Sequence, residues 1–149
     1  MPKKSLNILL IDDDKDELAS FDAGLGKIHI GYNLFYYSNG VNRIIEYIAD
    51  KQPDIIFLDI NMPGKKGIQF LAELKANKLH QHIPVIMFSV SQREEDIRKS
   101  YEAGAHYYLI KPYSQANLIE SLKKIFKTDW TTPQPIPPFE NFVINLAFA

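Results

Sequence analysis

Apolar residues along this chain fall into two alternating patterns, short continuous runs and stripes that recur every three or four positions. Leu6 to Ile11 is the first run, with Asn7 inside it, and it gives way to Asp12-Asp13-Asp14. Leu18, Phe21, Leu25 and Ile28 then recur at helical spacing, with Gly24 and Gly26 loosening the end of that helix. Tyr32 to Tyr37 reads as a short aromatic strand suited to an edge, and Ser38-Asn39-Gly40 as a turn. Val41, Ile44, Ile45 and Ile48 form a second helical stripe. The run Asp54 to Asp59, bounded by Pro53 and by Pro63-Gly64, reads as a buried strand of a parallel sheet.

Beyond it, Gly64 and Gly67 flank a loop, and Ile68, Leu71 and Leu74 mark a third helix. Pro84 to Phe88 is a fourth strand stopping at Ser89, and Ser91 is placed to cap a fourth helix carrying Ile97 and Tyr101, ended by Gly104. Tyr107 to Ile110 is a fifth strand closed by Lys111-Pro112. Ser114 can cap a last helix carrying Leu118, Ile119, Leu122, Ile125 and Phe126. Strict strand–helix alternation predicts an α/β fold, a doubly wound, five-stranded parallel sheet with helices on both faces.

The 149 residues suit one domain, and 46% apolar residues can bury a core. A net charge of -1 supplies no bulk field for nucleic acid or an anionic membrane, so direct nucleic-acid binding is not expected. The absence of cysteine excludes disulfides, thiolate nucleophiles and cysteine-ligated zinc. Lys3-Lys4 before the first apolar run is a faint echo of a signal peptide, but the run is short and ends in three carboxylates. Neither secretion nor a membrane span is expected, and the cytoplasm is the expected location.

The chemistry collects at the strand ends. Asp12-Asp13, Asp59, Ser89 and Lys111 each close a strand, and in a parallel alternating sheet those ends share one edge. Singly, each has a plain structural reading: Asp59 as a turn cap, Asp12 to Asp14 as a helix start, Ser89 as a cap, Lys111 as a solvated loop residue. Together they form a set. With a strand order of 2-1-3-4-5, the ligand crevice falls between the first and third strands, beside Asp13 and Asp59. Gathered carboxylates raise one another's pKa, and a hard divalent cation, Mg²⁺ first, relieves this with oxygen ligands. A carboxylate nucleophile, Mg²⁺, a lysine and a hydroxyl are what phosphoryl transfer to an aspartate requires.

Residues 5 to 127 resemble the receiver domain of two-component response regulators. The resemblance lies in Leu9-Leu-Ile-Asp-Asp-Asp14, Asp54 to Gly64, Pro84-Val-Ile-Met-Phe-Ser89, Ala103-Gly-Ala105 and Lys111-Pro-Tyr113. It implies a flavodoxin-like receiver fold over residues 1–127. Asp59 is then the phosphoacceptor for a histidine kinase or phosphotransfer protein. Asp13 binds Mg²⁺ directly, Asp12 through water and Asn61 through its backbone carbonyl, with Asp59 completing the metal set. Ser89 and Lys111 grip the phosphoryl oxygens, Tyr108 is the aromatic switch that follows Ser89 inward, and the Lys111–Pro112 bond is cis. Three positions depart from the family pattern: Ser89 replaces a commoner Thr, Val90 stands where a small residue is usual, and Lys65-Lys66 occupies a loop that often carries an acid.

The resulting expectation is a single-domain response regulator, a switch rather than an enzyme beyond self-phosphorylation and autodephosphorylation, that signals to a downstream protein target by contact. Two alternatives compete. A haloacid-dehalogenase-like phosphatase would use Asp12 as nucleophile and Asp14 as acid/base, but Asp16 departs from that pattern and no acidic pair follows Lys111. A degenerate receiver would be a binding module that is never phosphorylated, with Val90 narrowing access to Asp59. From Thr128 the composition changes, with Pro133, Pro135, Pro137 and Pro138 followed by apolar Phe139 to Phe148. This extension, residues 128–149, has two uses open to it. It can pack on its own domain, or it can join a second copy in a homodimer through the tail or through the face of the fourth helix, fifth strand and fifth helix. Trp130 and the phenylalanines anchor either arrangement.

Overall fold

The computed structural model describes residues 5–38, 43–61 and 67–146. The expected Asn39-Gly40 turn, Val41, Pro63-Gly64 and Lys65-Lys66 lie outside those residues. Elements alternate as expected: β1 (Leu6–Ile11), α1 (Lys15–Leu25), β2 (Tyr32–Tyr37), α2 (Ile44–Lys51), β3 (Ile55–Leu58), α3 (Gly67–Ala76), β4 (Val85–Ser89), α4 (Glu94–Glu102), β5 (Tyr107–Ile110) and α5 (Gln115–Ile125). A short 3-10 turn (Phe139–Asn141) and β6 (Val143–Ile144) follow. Every strand pairing is parallel, and the order is β2-β1-β3-β4-β5-β6.

The sheet thus has six strands rather than the expected five. The extension supplies the sixth, with Val143 and Ile144 in register with Tyr108 and Leu109. An uncovered β5 would present a row of unsatisfied backbone groups at the sheet edge. Here the Tyr108 amide donates to the Phe142 carbonyl at 3.1 Å. The extension therefore packs on its own domain in this structure.

Two cores lie on opposite faces of the sheet, because side chains alternate along each strand. One gathers Ile8, Leu10, Phe57, Phe88 and Leu109 with Phe21 and Leu25 of α1 and Leu118, Leu122 and Ile125 of α5. The other gathers Leu9, Ile11, Ile56, Leu58, Met87 and Tyr108 with residues of α2 and α3 and the apolar side of α4. The extension enters both. Trp130 joins the first and donates its indole N–H to the Ile125 carbonyl at 2.9 Å. Phe142 is fully buried in the second. β3 is buried along its whole length, while β2 is half-buried or exposed throughout, as an edge strand should be.

Two local expectations are corrected. The fourth helix begins after Arg93, not Ser91. Ser91 Oγ instead accepts from the Arg93 amide at 3.3 Å and donates to the Asp96 carboxylate at 2.6 Å, a turn set ahead of the helix. The Lys111–Pro112 bond is trans, since no cis peptide occurs among the described residues. With that bond trans, the Lys111 side chain already reaches the carboxylates of β1 and β3. Elsewhere the caps are local in origin. Asp14 caps α1 by accepting from the Asp16 amide, Ser114 caps α5 by accepting from the Asn117 amide, and Gly104 takes φ +104° just beyond α4.

Candidate functional site

Parallel pairing brings Asp12, Asp59, Ser89 and Lys111 to one edge of the sheet. Ile11 is in register with Leu58 and Ser89 with Ile110, so the residues that follow these strands emerge side by side. Asp12 is 1% exposed at the end of β1, and its Oδ1 accepts from the Asp14 amide at 2.9 Å. Asp59 follows β3. Its amide donates to the Ile11 carbonyl at 3.0 Å, and its Oδ1 accepts from the Asn61 amide at 3.2 Å.

Lys111 joins the two acids. Its ammonium lies 2.7 Å from Asp12 Oδ2 and 3.4 Å from Asp59 Oδ2, with side-chain exposures of 11%, 2% and 13% for Lys111, Asp12 and Asp59. It also stands 5.2 Å from the centre of the Phe88 ring, whose negative face favours a cation. The Lys111 amide donates to the Ser89 carbonyl at 2.8 Å, which ties the lysine's backbone to the end of β4.

The site holds more negative charge than one lysine offsets. Burial pushes the Asp59 carboxyl above its usual pKa; Lys111 draws it down, and Asp12 pushes it up again. Glu17, in the first turn of α1, is raised chiefly by burial, with Asp12, Asp14 and Asp59 adding to the rise against Lys111. For Lys111 itself, burial acts downward, but the Asp12 hydrogen bond and the Asp59, Asp12 and Glu17 charges carry its pKa up. An excess of buried carboxylate beside all-oxygen donors is what a hard cation relieves. Among the described residues no three acidic or imidazole groups converge into a ready cage.

Ser89 is fully buried and its Oγ accepts from the Ser91 amide at 3.2 Å. Tyr108, on β5, is also fully buried, and its hydroxyl donates to the Ser91 carbonyl at 2.8 Å. The serine, the loop after it and the aromatic ring are thus one connected unit. Val90 is 65% exposed, so it points to solvent rather than into this unit. Asp14 is spent on capping α1, away from the role the phosphatase alternative needs.

Two contributors stand outside the sequence-based set. Glu17 approaches because α1 starts at the acidic edge. Gly67 packs against the backbone of Asp59 and Ile60. A Cβ there would collide with the Asp59 carbonyl and come within 2.9 Å of Ile60 Cα, and the Gly67 amide donates to the Ile60 carbonyl at 2.9 Å. Its place in the Gly-flanked loop was the one sequence signal, and that signal carried no direction.

Comparison with known proteins agrees with this fold. The response regulator receiver domain family matches residues 8–123. The chain is 38% identical over 124 residues to the chemotaxis protein CheY-3 of Vibrio cholerae, covering 83% of this chain and 94% of that protein. It is 32% identical over 128 residues to the transcriptional regulatory protein PrrA of Mycobacterium tuberculosis, covering 86% of this chain but spanning 53% of PrrA. Among solved structures, the phosphorylated cyanobacterial phytochrome response regulator RcpA superposes with a TM-score of 0.77 at 27% identity, covering 91% of this chain and all of that one. With the fold, the order of its strands and the family match in agreement, this chain belongs to the response regulator receiver domain family.

Proposed function

We propose that this protein is a phosphorylation switch in which Asp59 accepts a phosphoryl group from a histidine kinase or phosphotransfer protein. The observation that carries the reading is the Lys111 ammonium held between Asp12 and Asp59 at the carboxyl ends of β1 and β3. An Asp59 carboxylate oxygen attacks the phosphorus of a phosphohistidine, the O–P bond forms, the N–P bond breaks, and the departing imidazole takes up a proton. Lys111 and the Ser89 hydroxyl hold the transferred oxygens. Asp12, Asp13, Asp59 and the Asn61 carbonyl would hold Mg²⁺, and a cation there would supply positive charge to offset that of the phosphoryl oxygens. Positioning and charge do the work, and the phosphoryl group ends on the chain's own Asp59, so the protein acts as a switch rather than a turnover enzyme.

The bond at Asp59 shifts a two-state equilibrium in the Ser89–Tyr108 unit and so alters the face of α4, β5 and α5 read by a downstream protein. Similarity to RcpA, described as phosphorylated, and to CheY-3 supports this reading. No helix among the described residues is long and apolar enough to cross a membrane, and the cytoplasm is the proposed site of action. In a homodimer formed by exchange of the extension, Pro137 to Ile144 would leave the α4–β5 seat of their own domain for the same seat on a second copy. Beryllofluoride with Mg²⁺ tests the main proposal. It should perturb the amide spectra of Ser89, Tyr108 and α4 in the parent chain and leave Asp59→Asn unchanged. Identical spectra in both would overturn it.

A further inference from the structure

The extension does more than close a sheet edge, because of where its aromatic residues land. The Tyr101 hydroxyl of α4 donates to the Pro137 carbonyl at 2.9 Å. The Tyr101 ring meets Phe139 at 5.2 Å and Phe142 at 4.9 Å, both edge-on. The Arg98 guanidinium lies 5.0 Å above the Phe139 ring. Phe142 then reaches the Tyr108 ring at 6.4 Å, and its carbonyl takes the Tyr108 amide hydrogen. The segment Pro137 to Ile144 therefore occupies the seam between α4 and β5 and covers the residue whose hydroxyl ends on the loop after Ser89.

A continuous chain of contacts results. Asp59 and Lys111 meet at the sheet edge, and the Lys111 amide is held by the Ser89 carbonyl. Ser89 Oγ is bonded to Ser91, Ser91 to the Tyr108 hydroxyl, and Tyr108 to Phe142. With the segment seated, Tyr108 has no exposed surface. Unseating it would uncover one side of that ring and leave the Tyr108 amide without its acceptor. Docking therefore favours the ring-buried arrangement of the Ser89–Tyr108 unit.

We infer that Pro137 to Ile144 is the resident ligand of the α4–β5 seam, and that its docking and phosphorylation of Asp59 stabilise each other. The inference rests on the phosphoacceptor reading above, together with the expectation from the family resemblance that Tyr108 follows Ser89 inward when Asp59 is phosphorylated. Two events that favour one conformation are linked, and the linkage is reciprocal: the phosphoryl group tightens the segment, and the seated segment tightens phosphoryl binding. A downstream protein that reads this seam meets the segment as part of the surface.

The Tyr108 amide is a direct reporter, since its hydrogen-bond acceptor belongs to the segment. In the intact chain, beryllofluoride with Mg²⁺ should slow hydrogen exchange at the Tyr108 amide and at Val143 and Ile144. Phe139→Ala loosens the seat without opening the core, since Phe139 is only half-buried, and should weaken beryllofluoride affinity by about fivefold; Phe142→Ala should weaken it at least as much. Folding of each variant is checked by near-UV circular dichroism. If beryllofluoride fails to bind the parent chain, the phosphoacceptor reading falls. If it binds with equal affinity to the parent and to folded Phe139→Ala, with Tyr108 exchange unchanged, the coupling falls and the reading stands. Light scattering should give the 17.1 kDa chain mass. A species of twice that mass that Phe142→Ala dissociates would place the segment on a second copy and overturn its assignment to its own domain.

Discussion

Lys111 crosses the sheet edge to reach Asp12, 99 positions earlier in the chain, at 2.7 Å. Both side chains are nearly sealed from solvent, and the same ammonium leans toward Asp59. A buried pair is costly to break from one side, because the partner left behind keeps its charge without its counter-ion. Lys111→Ala leaves two acids in that position. Urea unfolding at pH 7 should show a loss of about 3–5 kcal/mol relative to the parent. The deficit should shrink as Asp59, whose pKa is raised by burial, protonates at low pH.

Asp59 works in the opposite sense. Its pKa is raised by burial and by Asp12, so the folded state binds this proton more readily than the unfolded chain. The charged form therefore weakens the fold at neutral pH, and the penalty is relieved as pH falls through the native pKa of Asp59. Asp59→Asn removes the charge while Lys111 keeps Asp12. Its thermal midpoint at pH 7 should lie a few degrees above that of the parent, and the advantage should vanish on acidification. An equal or lower midpoint at pH 7 would contradict this account.

Gly67 is set against the backbone of Asp59, the proposed phosphoacceptor. A methyl group there meets the Asp59 carbonyl and Ile60 Cα, neither of which can swing away as a side-chain tip could. Gly67→Ala should lower stability by about 1–3 kcal/mol, the usual range for overpacking. It should also slow uptake of phosphate from acetyl phosphate, because relief of the clash moves Asp59 relative to Lys111. A variant with parental uptake and parental urea midpoint would show that the loop relaxes freely.

His106 gives the extension a pH dependence. It is 8% exposed; Nε2 donates to the Gln134 carbonyl at 2.9 Å, and Nδ1 is buried with no hydrogen-bond partner among the described residues. Burial lowers its pKa, the Gln134 hydrogen bond acts against that, and the Lys75 charge adds to it. The folded state thus resists protonation more than the unfolded chain does. Stability should fall as pH drops below the ordinary histidine value of about 6.5 and level off beneath the native one. His106→Gln keeps an N–H donor and does not titrate, so its stability should change less between pH 7 and 5.5. Equal slopes for the two chains would exclude His106 as the cause.

The sequence by itself determined the alternating fold and the chemistry at its edge. Both are written in local terms: apolar runs of strand length, stripes of helical spacing, and acids, a serine and a lysine at the points where runs stop. Parallel pairing then has one consequence for all of them, which is why Asp12, Asp59 and Lys111 meet without any contact being visible in the chain. What only the tertiary structure decided depends on surfaces that exist after folding. Val143-Ile144 is too short to declare itself a strand and becomes one because the β5 edge offers unpaired backbone groups. Ser91 has the chemistry of a cap, but in the folded chain its hydroxyl is drawn to Asp96 and the Arg93 amide ahead of the helix. Gly67 matters through the Asp59 carbonyl packed against it, and Phe142 through its seat over Tyr108. Periodicity announces which faces want burial, and only the assembled fold shows which segment of the chain is near enough to cover them.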